Sequence, residues 1–107
     1  MTSMVGELDE VQYDLEVDGA QVRRQLHRRV WERGAWATIA IVYQERVPDA
    51  PWKPAKLALI RLQRMRGAWK RHAAITMRGV DAAQLGESLA GWAALRDAGE
   101  DAGADED

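Results

Sequence analysis

The order of apolar and polar positions predicts two β-hairpins followed by a helix. From residue 22 to 32, Val22, Leu26 and Val30 recur on even positions, while Arg23, Gln25, His27, Arg29 and Trp31 hold odd ones. Side chains alternate between faces along a strand, so this reads as a sheet strand with an exposed basic row. Residues 33–35 break it, and Gly34 supplies a permissive backbone for the turn. Over 36–45, Ile39, Ile41 and Tyr43 share one face, while Trp36, Thr38, Val42 and Gln44 share the other. Ile, Val, Thr and Tyr favour strand over helix. Pro48, Pro51 and Pro54 exclude regular structure between 47 and 54, a loop that also carries Trp52 and Lys53. Trp52 there is either a lid on the core or a contact residue.

A third strand is predicted over 56–66. Its alternation is imperfect, since Leu59, Ile60 and Leu62 fall on both faces, which a bulge or burial on both sides explains. Gly67 marks the second turn, and 69–77 form the fourth strand. There Ala73, Ile75 and Met77 point one way, and Lys70, His72 and Thr76 the other. The tetrapeptides Arg33-Gly34-Ala35-Trp36 and Arg66-Gly67-Ala68-Trp69 are identical, which reads as one turn solution used twice.

Asp81 with Gln84 three positions on is a capping-box pattern that starts a helix. Leu85, Leu89 and Trp92 then form an apolar stripe at i, i+4 and i+7. Gly86 and Gly91 each cost about 1 kcal/mol relative to Ala, so packing must offset them. A partner helix in a homodimer does so, with Leu85, Leu89 and Trp92 at the interface; packing onto the helix's own sheet is the alternative. Ahead of the hairpins, Val11, Tyr13, Leu15 and Val17 alternate with Gln12, Asp14 and Glu16, as a short strand closed by Asp18-Gly19 would. The fold expected is therefore α+β: a four-stranded curved antiparallel sheet of two hairpins, then a C-terminal helix. It occupies 20–96, between an acidic segment over 1–19 and an acidic disordered tail over 97–107.

Charge changes the picture. The chain of 107 residues has a formal charge of −2, which by itself speaks against a nucleic-acid partner. That charge is sorted along the sequence. Residues 1–19 hold six acids and no Lys or Arg, and residues 81–107 hold eight acids against Arg96. Residues 20–80 hold 14 of the 15 basic residues and only Glu32, Glu45 and Asp49 as acids, a net +11. Such an asymmetry points to a polyanionic partner. The plainer reading is a solvated surface neutralised by its own ends. The acidic ends also have the composition to fold back over the basic face and compete with a polyanion there.

Catalytic material is scarce. There is no Cys, which excludes disulfides and thiolate chemistry. His27 and His72 have no metal-ligand spacing, Ser3 and Ser88 form no nucleophile elbow, and no Gly-rich phosphate loop occurs. The expectation is a protein that is not an enzyme, with no metal and no cofactor. No apolar run approaches a membrane span and no signal peptide opens the chain, so a cytoplasmic, nucleoid-associated protein is expected.

Binding chemistry is plentiful. Arg and Lys neutralise phosphates and release counterions, and aromatic rings stack on the exposed bases of single strands for about 1–3 kcal/mol per base. Trp31, Trp36 and Trp69 stand beside basic residues at hairpin ends, each open to stacking or to core packing. The charge reading selects Arg23, Arg29, Arg33, Arg64 and Arg66 as phosphate contacts. The alternatives are a module that docks an acidic protein through the same face, and a binder of RNA or double-stranded DNA.

Several short motifs accompany this order of elements. Gly34 and Trp36 open strand two, and Ile60-Arg61 sit in strand three. Gly67, Trp69 and Lys70 follow, then Ile75-Thr76-Met77 leads to a helix with Gln84, Leu85 and Leu89. Over about residues 23–95 the chain resembles the family of the transcriptional coactivator Positive Cofactor Four and its bacterial single-stranded-DNA-binding relatives. It departs from that pattern in three places. Ala74 stands where a Gly is common, Arg78-Gly79-Val80 intervenes before the helix, and Arg64 replaces an aromatic. The resemblance implies a homodimer joined through the helices and a channel for single-stranded DNA of low sequence specificity. It also implies a role in transcription, replication or repair. It favours Arg61 and Lys70 as phosphate contacts and Trp36 and Trp69 as stackers. A composition rich in Ala, Arg and Gly points to a bacterial source of high GC content.

Overall fold

In a computed structural model, which describes residues 4–92, the chain forms a curled antiparallel sheet and one helix. The class is α+β. The two expected hairpins are present: β3 (Ala20–Arg33) with β4 (Trp36–Glu45), and β5 (Lys56–Met65) with β6 (Ala68–Arg78). The sheet has six strands instead of four, because β1 (Met4–Val5) and β2 (Leu15–Val17) add to its edges. The spatial order is β1-β6-β5-β4-β3-β2.

That order fixes the path of the N-terminal segment. β1 pairs with β6 at one edge and β2 with β3 at the other, so residues 6–14 cross one face of the sheet. Five inter-strand spacings are about 24 Å, and nine residues reach about 30 Å, so the segment is long enough to serve as a strap. Only Leu15–Val17 of the strand expected over 11–17 pairs. Val11 turns into the core instead, and Tyr13 packs against it.

The core lies between the strap and one face of β4 and β5. Leu8 and Val11 of the strap meet Ala37, Ile39, Ile41 and Tyr43 of β4, Ala58, Ile60 and Leu62 of β5, and Trp69 of β6. Ile39, Ile41 and Ile60 are fully enclosed, which is why β4 and β5 alternate so cleanly between buried and half-buried positions. Arg28 pins the strap down: its Nε donates to the Val11 carbonyl at 3.1 Å and its Nη2 to the Leu8 carbonyl at 2.6 Å. Tyr13 meets Tyr43 edge-on at 4.9 Å.

Three local expectations are corrected. In β3 the pairing slips between Gln25 and His27, leaving Leu26 as an extra residue. A bulge of this kind reverses the phase of a strand. Arg23, Gln25, Arg28 and Val30 therefore share the strap face, while Arg24, His27, Arg29 and Trp31 share the other, and Leu26 is half exposed. In β5 and β6 the slip lies beside Arg61, with His72 as the extra residue.

The helix α1 spans Gly79–Gly91 and starts two residues before Asp81. Its N-cap is Arg78, and the Asp81 carboxylate receives a hydrogen bond from Arg78 Nε at 3.0 Å instead of capping. Gly79 is required there. Its N–H donates to the Ala55 carbonyl at 2.9 Å, and a Cβ would lie 2.8 Å from that oxygen.

The third correction concerns the repeated tetrapeptide. In the first hairpin Arg33 pairs with Trp36 and the loop is Gly34-Ala35, with positive φ at Gly34 alone. In the second, Met65 pairs with Ala68 and the loop is Arg66-Gly67, with positive φ at both residues. These follow the type II′ and type I′ patterns. One sequence thus makes two turns, offset by one residue.

Candidate nucleic-acid interface

The face opposite the strap is open, and its residues follow from the register. One rung across β3 to β6 carries Arg33, Trp36, Gln63 and Lys70; the next carries Trp31, Thr38, Arg61 and Ala73. A third holds Arg29, Ala40, Leu59 and Ile75, and a fourth His27, Val42, Leu57 and Met77. Beyond them Arg24 pairs with Gln44. Every charged side chain that β3 to β6 place on this face is basic. Glu32 and Glu45 share rungs with Ala37 and Arg23 on the strap face.

The face is divided. Cations and Trp cluster at the hairpin-tip end and along β3, while β5 and β6 contribute an apolar floor. Thr38, Leu59, Arg61, Ala73 and Ile75 line a hollow of about 220 Å³ there. Ile75 is 56% exposed. The Arg61 guanidinium sits 4.7 Å from the centre of the Trp36 ring, and His72 meets that ring edge-on at 5.0 Å. Trp31 is 50% exposed, with the Arg29 guanidinium 5.4 Å from its ring. Of the indoles on this face, Trp31 is the most open to a stacking partner.

Six of the ten residues expected to contact nucleic acid lie on this face: Arg29, Trp31, Arg33, Trp36, Arg61 and Lys70. The other four do not. Trp69 is only 6% exposed and belongs to the core, so it cannot stack on a base in this conformation. Arg64 lies on the same face as Trp69, 5.1 Å from its ring. Arg23 is taken up by Glu45 at 3.2 Å and by the rings of Tyr13 and Tyr43. Arg66 occupies the tip of the second hairpin at φ 55°.

Three residues absent from the expected set belong to the face. Arg24 is brought there by the Leu26 bulge, and His27 stands in the same row as Arg29 and Trp31. Trp52 folds back from the proline-rich loop to lie 4.3 Å from the Arg24 guanidinium and 4.1 Å from that of Arg46. A signal for the bulge was present, since Arg24 and Arg28 interrupt the even-numbered apolar positions Val22, Leu26 and Val30.

The strap carries Glu7, Asp9, Glu10 and Asp14, and it covers the face away from Trp31 and Trp36. The acidic N-terminal segment therefore does not fold over the Trp-bearing face as expected. The acidic tail expected over 97–107 lies outside the described residues. In the helix Leu85 is half-buried and Leu89 more than half exposed, as is Trp92 at the C-cap.

Glu45 accepts hydrogen bonds from Lys56 Nζ at 3.1 Å and Arg23 Nε at 3.2 Å. The Lys56 bond, with help from Arg23, holds its carboxyl below the ordinary value against a partial desolvation that raises it. Lys56 is raised in return by the same partner. Among the described residues no three His, Asp or Glu side chains group as metal ligands would, and no helix is long and apolar enough to cross a membrane. Compared with family models, curated proteins and solved structures, the chain matches none.

Proposed function

We propose that the open face binds single-stranded nucleic acid without sequence specificity and without catalysis, in the manner the resemblance to the Positive Cofactor Four family implies. The observation that carries this reading is the one-signed charge of the face beside accessible indoles. Arg29, Arg33, Arg61 and Lys70 stand around Trp31 and Trp36, and the acids of β3 to β6 are on the far side. Single strands fit this chemistry better than duplex, because their bases offer faces to the indoles as well as phosphates to the guanidiniums. The second copy is proposed to join through α1 and its C-cap, where Leu89 and Trp92 are exposed at 53% and 54%.

Fluorescence anisotropy with labelled oligo-dT across a salt series tests the binding. Binding at 50 mM salt that weakens linearly in log salt, with Trp quenching, supports it. Failure to bind, or binding with no salt slope, overturns it, and a protein-docking module would show no quenching by DNA. Competition with matched duplex and with RNA of the same length ranks the ligands. Mass measurement by light scattering on a sizing column tests the dimer.

A further inference from the structure

We propose that Arg24 and Arg46, both stacked on Trp52, form a phosphate clamp at the end of the open face remote from the hairpin tips. The two guanidiniums lie 4.3 and 4.1 Å from the centre of one indole. Their charges are therefore closer together than the Debye length of about 10 Å at 0.1 M salt. Neither is ion-paired to a carboxylate among the described residues. Glu45, the acid next to Arg46 in sequence, is on the opposite face and bonded to Arg23 and Lys56. Two like charges gathered without a counter-ion repel, and an anion bound to both relieves that repulsion.

The pair is also held in place. Arg24 Nε donates to Gln44 Oε1 at 2.9 Å, and Arg46 Nε donates to the Gln21 carbonyl at 2.9 Å. Gln44 in turn donates to the Lys53 carbonyl at 3.1 Å, and Lys53 N–H bonds to the Glu45 carbonyl at 2.9 Å. The proline-rich loop is thereby tied to the sheet with Trp52 in position. Each guanidinium uses its Nε–H inside the protein, which leaves its terminal amino groups for an anion. Guanidinium groups so presented match phosphate oxygens in a forked geometry.

The source of the phosphate rests on the nucleic-acid reading above. Trp36 and Gln44 are eight residues apart on β4, about 27 Å at 3.4 Å per residue. A single strand stacked at about 3.4 Å per nucleotide needs roughly eight nucleotides to run from the Trp36 end to the clamp, and fewer if extended. Arg29 and His27 lie on β3 between the two ends. The clamp thus makes affinity depend on the length of the strand.

The test compares the full chain with the double variant Arg24→Gln, Arg46→Gln, using labelled dT4 and dT20, with thermal melts to verify folding. The expected result is a loss of about tenfold for dT20 at 50 mM salt and a fall in the ratio of dT20 to dT4 affinity. The salt slope for dT20 should fall by about 0.7 if one phosphate is released. An unchanged ratio overturns the clamp while the open-face reading stands. If the wild-type chain binds neither oligonucleotide, that reading fails and the clamp is judged alone. In that case, Nε–H resonances of Arg24 and Arg46 that shift on adding inorganic phosphate to the wild-type chain, and do not shift in Trp52→Leu, sustain it. Resonances that do not move overturn it.

Discussion

Trp36 and Trp69 each follow the residues Arg-Gly-Ala, yet their indoles lie on opposite faces of the sheet. Trp36 is the first paired residue after its turn, opposite Arg33; Trp69 is the second, opposite Arg64. One residue of offset reverses the face. Trp36 meets solvent and the Arg61 guanidinium, while Trp69 is sealed in the core beneath the strap. Trp69→Ala is therefore expected to cost about 3–5 kcal/mol of stability through the cavity it leaves. Trp31→Ala should alter stability by no more than about 0.5 kcal/mol and weaken oligo-dT binding by about 1–3 kcal/mol, the worth of a stacked base. Urea melts and anisotropy titrations of the two variants check the contrast.

The second turn carries a strained residue. Arg66 has φ 55°, a region in which an L side chain other than Asn or Asp costs about 1–2 kcal/mol. Arg66→Asn should raise the melting temperature. Arg66 occupies the turn beyond the paired rungs that carry Trp31, Trp36 and Arg61, so oligo-dT affinity should fall by less than in Arg61→Gln. A variant that melts at or below the wild-type temperature would show that the turn bears no strain.

The strap depends on Arg28. Its guanidinium makes two charge-assisted bonds to strap carbonyls, and hydrogen bonds of this kind contribute about 1.5–3 kcal/mol each. Arg28→Ala should destabilise the protein by a few kcal/mol and raise hydrogen exchange at Leu8 and Val11 before the rest of the sheet. Uniform acceleration across β4 and β5 would instead mean that strap and sheet open together.

The bridge of Glu45 with Lys56 and Arg23 predicts a dependence on pH. The folded-state carboxyl titrates below its unfolded value, so its contribution is complete above the unfolded pKa of about 4.3 and is lost as pH falls through the lower folded value. Glu45→Gln should melt below wild type at pH 7, and the gap should narrow as pH falls from about 5 towards 3. Melting curves across that range decide this. A gap that does not narrow would assign the difference to packing.

The tail over 97–107 contributes six acids and no basic residue. If it competes for the open face, removal of those residues tightens oligo-dT binding at low salt and has no effect at high salt, where screening removes the competition. Equal affinity at low salt would reduce the tail to a solubility role.

Much of the frame was legible in the residues. β4 matches its expected bounds at 36–45, because the inward side chains Ala37, Ile39, Ile41 and Tyr43 alternate without interruption. The proline-rich loop and both hairpins were legible for equally local reasons. The candidate site was only partly so. Arg29 and Trp31 followed from alternation, Arg33 from the charge pattern, and Trp36, Arg61 and Lys70 from the family resemblance, whereas Arg23 and Arg24 exchanged faces at Leu26. A bulge is an extra residue whose cost and benefit depend on the partner strand, and a single strand's sequence does not contain its partner.

By itself, then, the sequence determined what depends on neighbours along the chain: strand periodicity, turn positions, the break at three prolines and the segregation of charge. Tertiary structure alone decided what depends on packing. It sent the acidic N-terminal segment across the far face, because Leu8 and Val11 complete the core over Ile39, Ile41 and Ile60. It buried Trp69 and left Trp36 outside, although their local sequences are the same, because two turn types accept the same Gly at different positions. It also gathered Arg24, Arg46 and Trp52, from two strand ends and a loop, into a single cationic cluster.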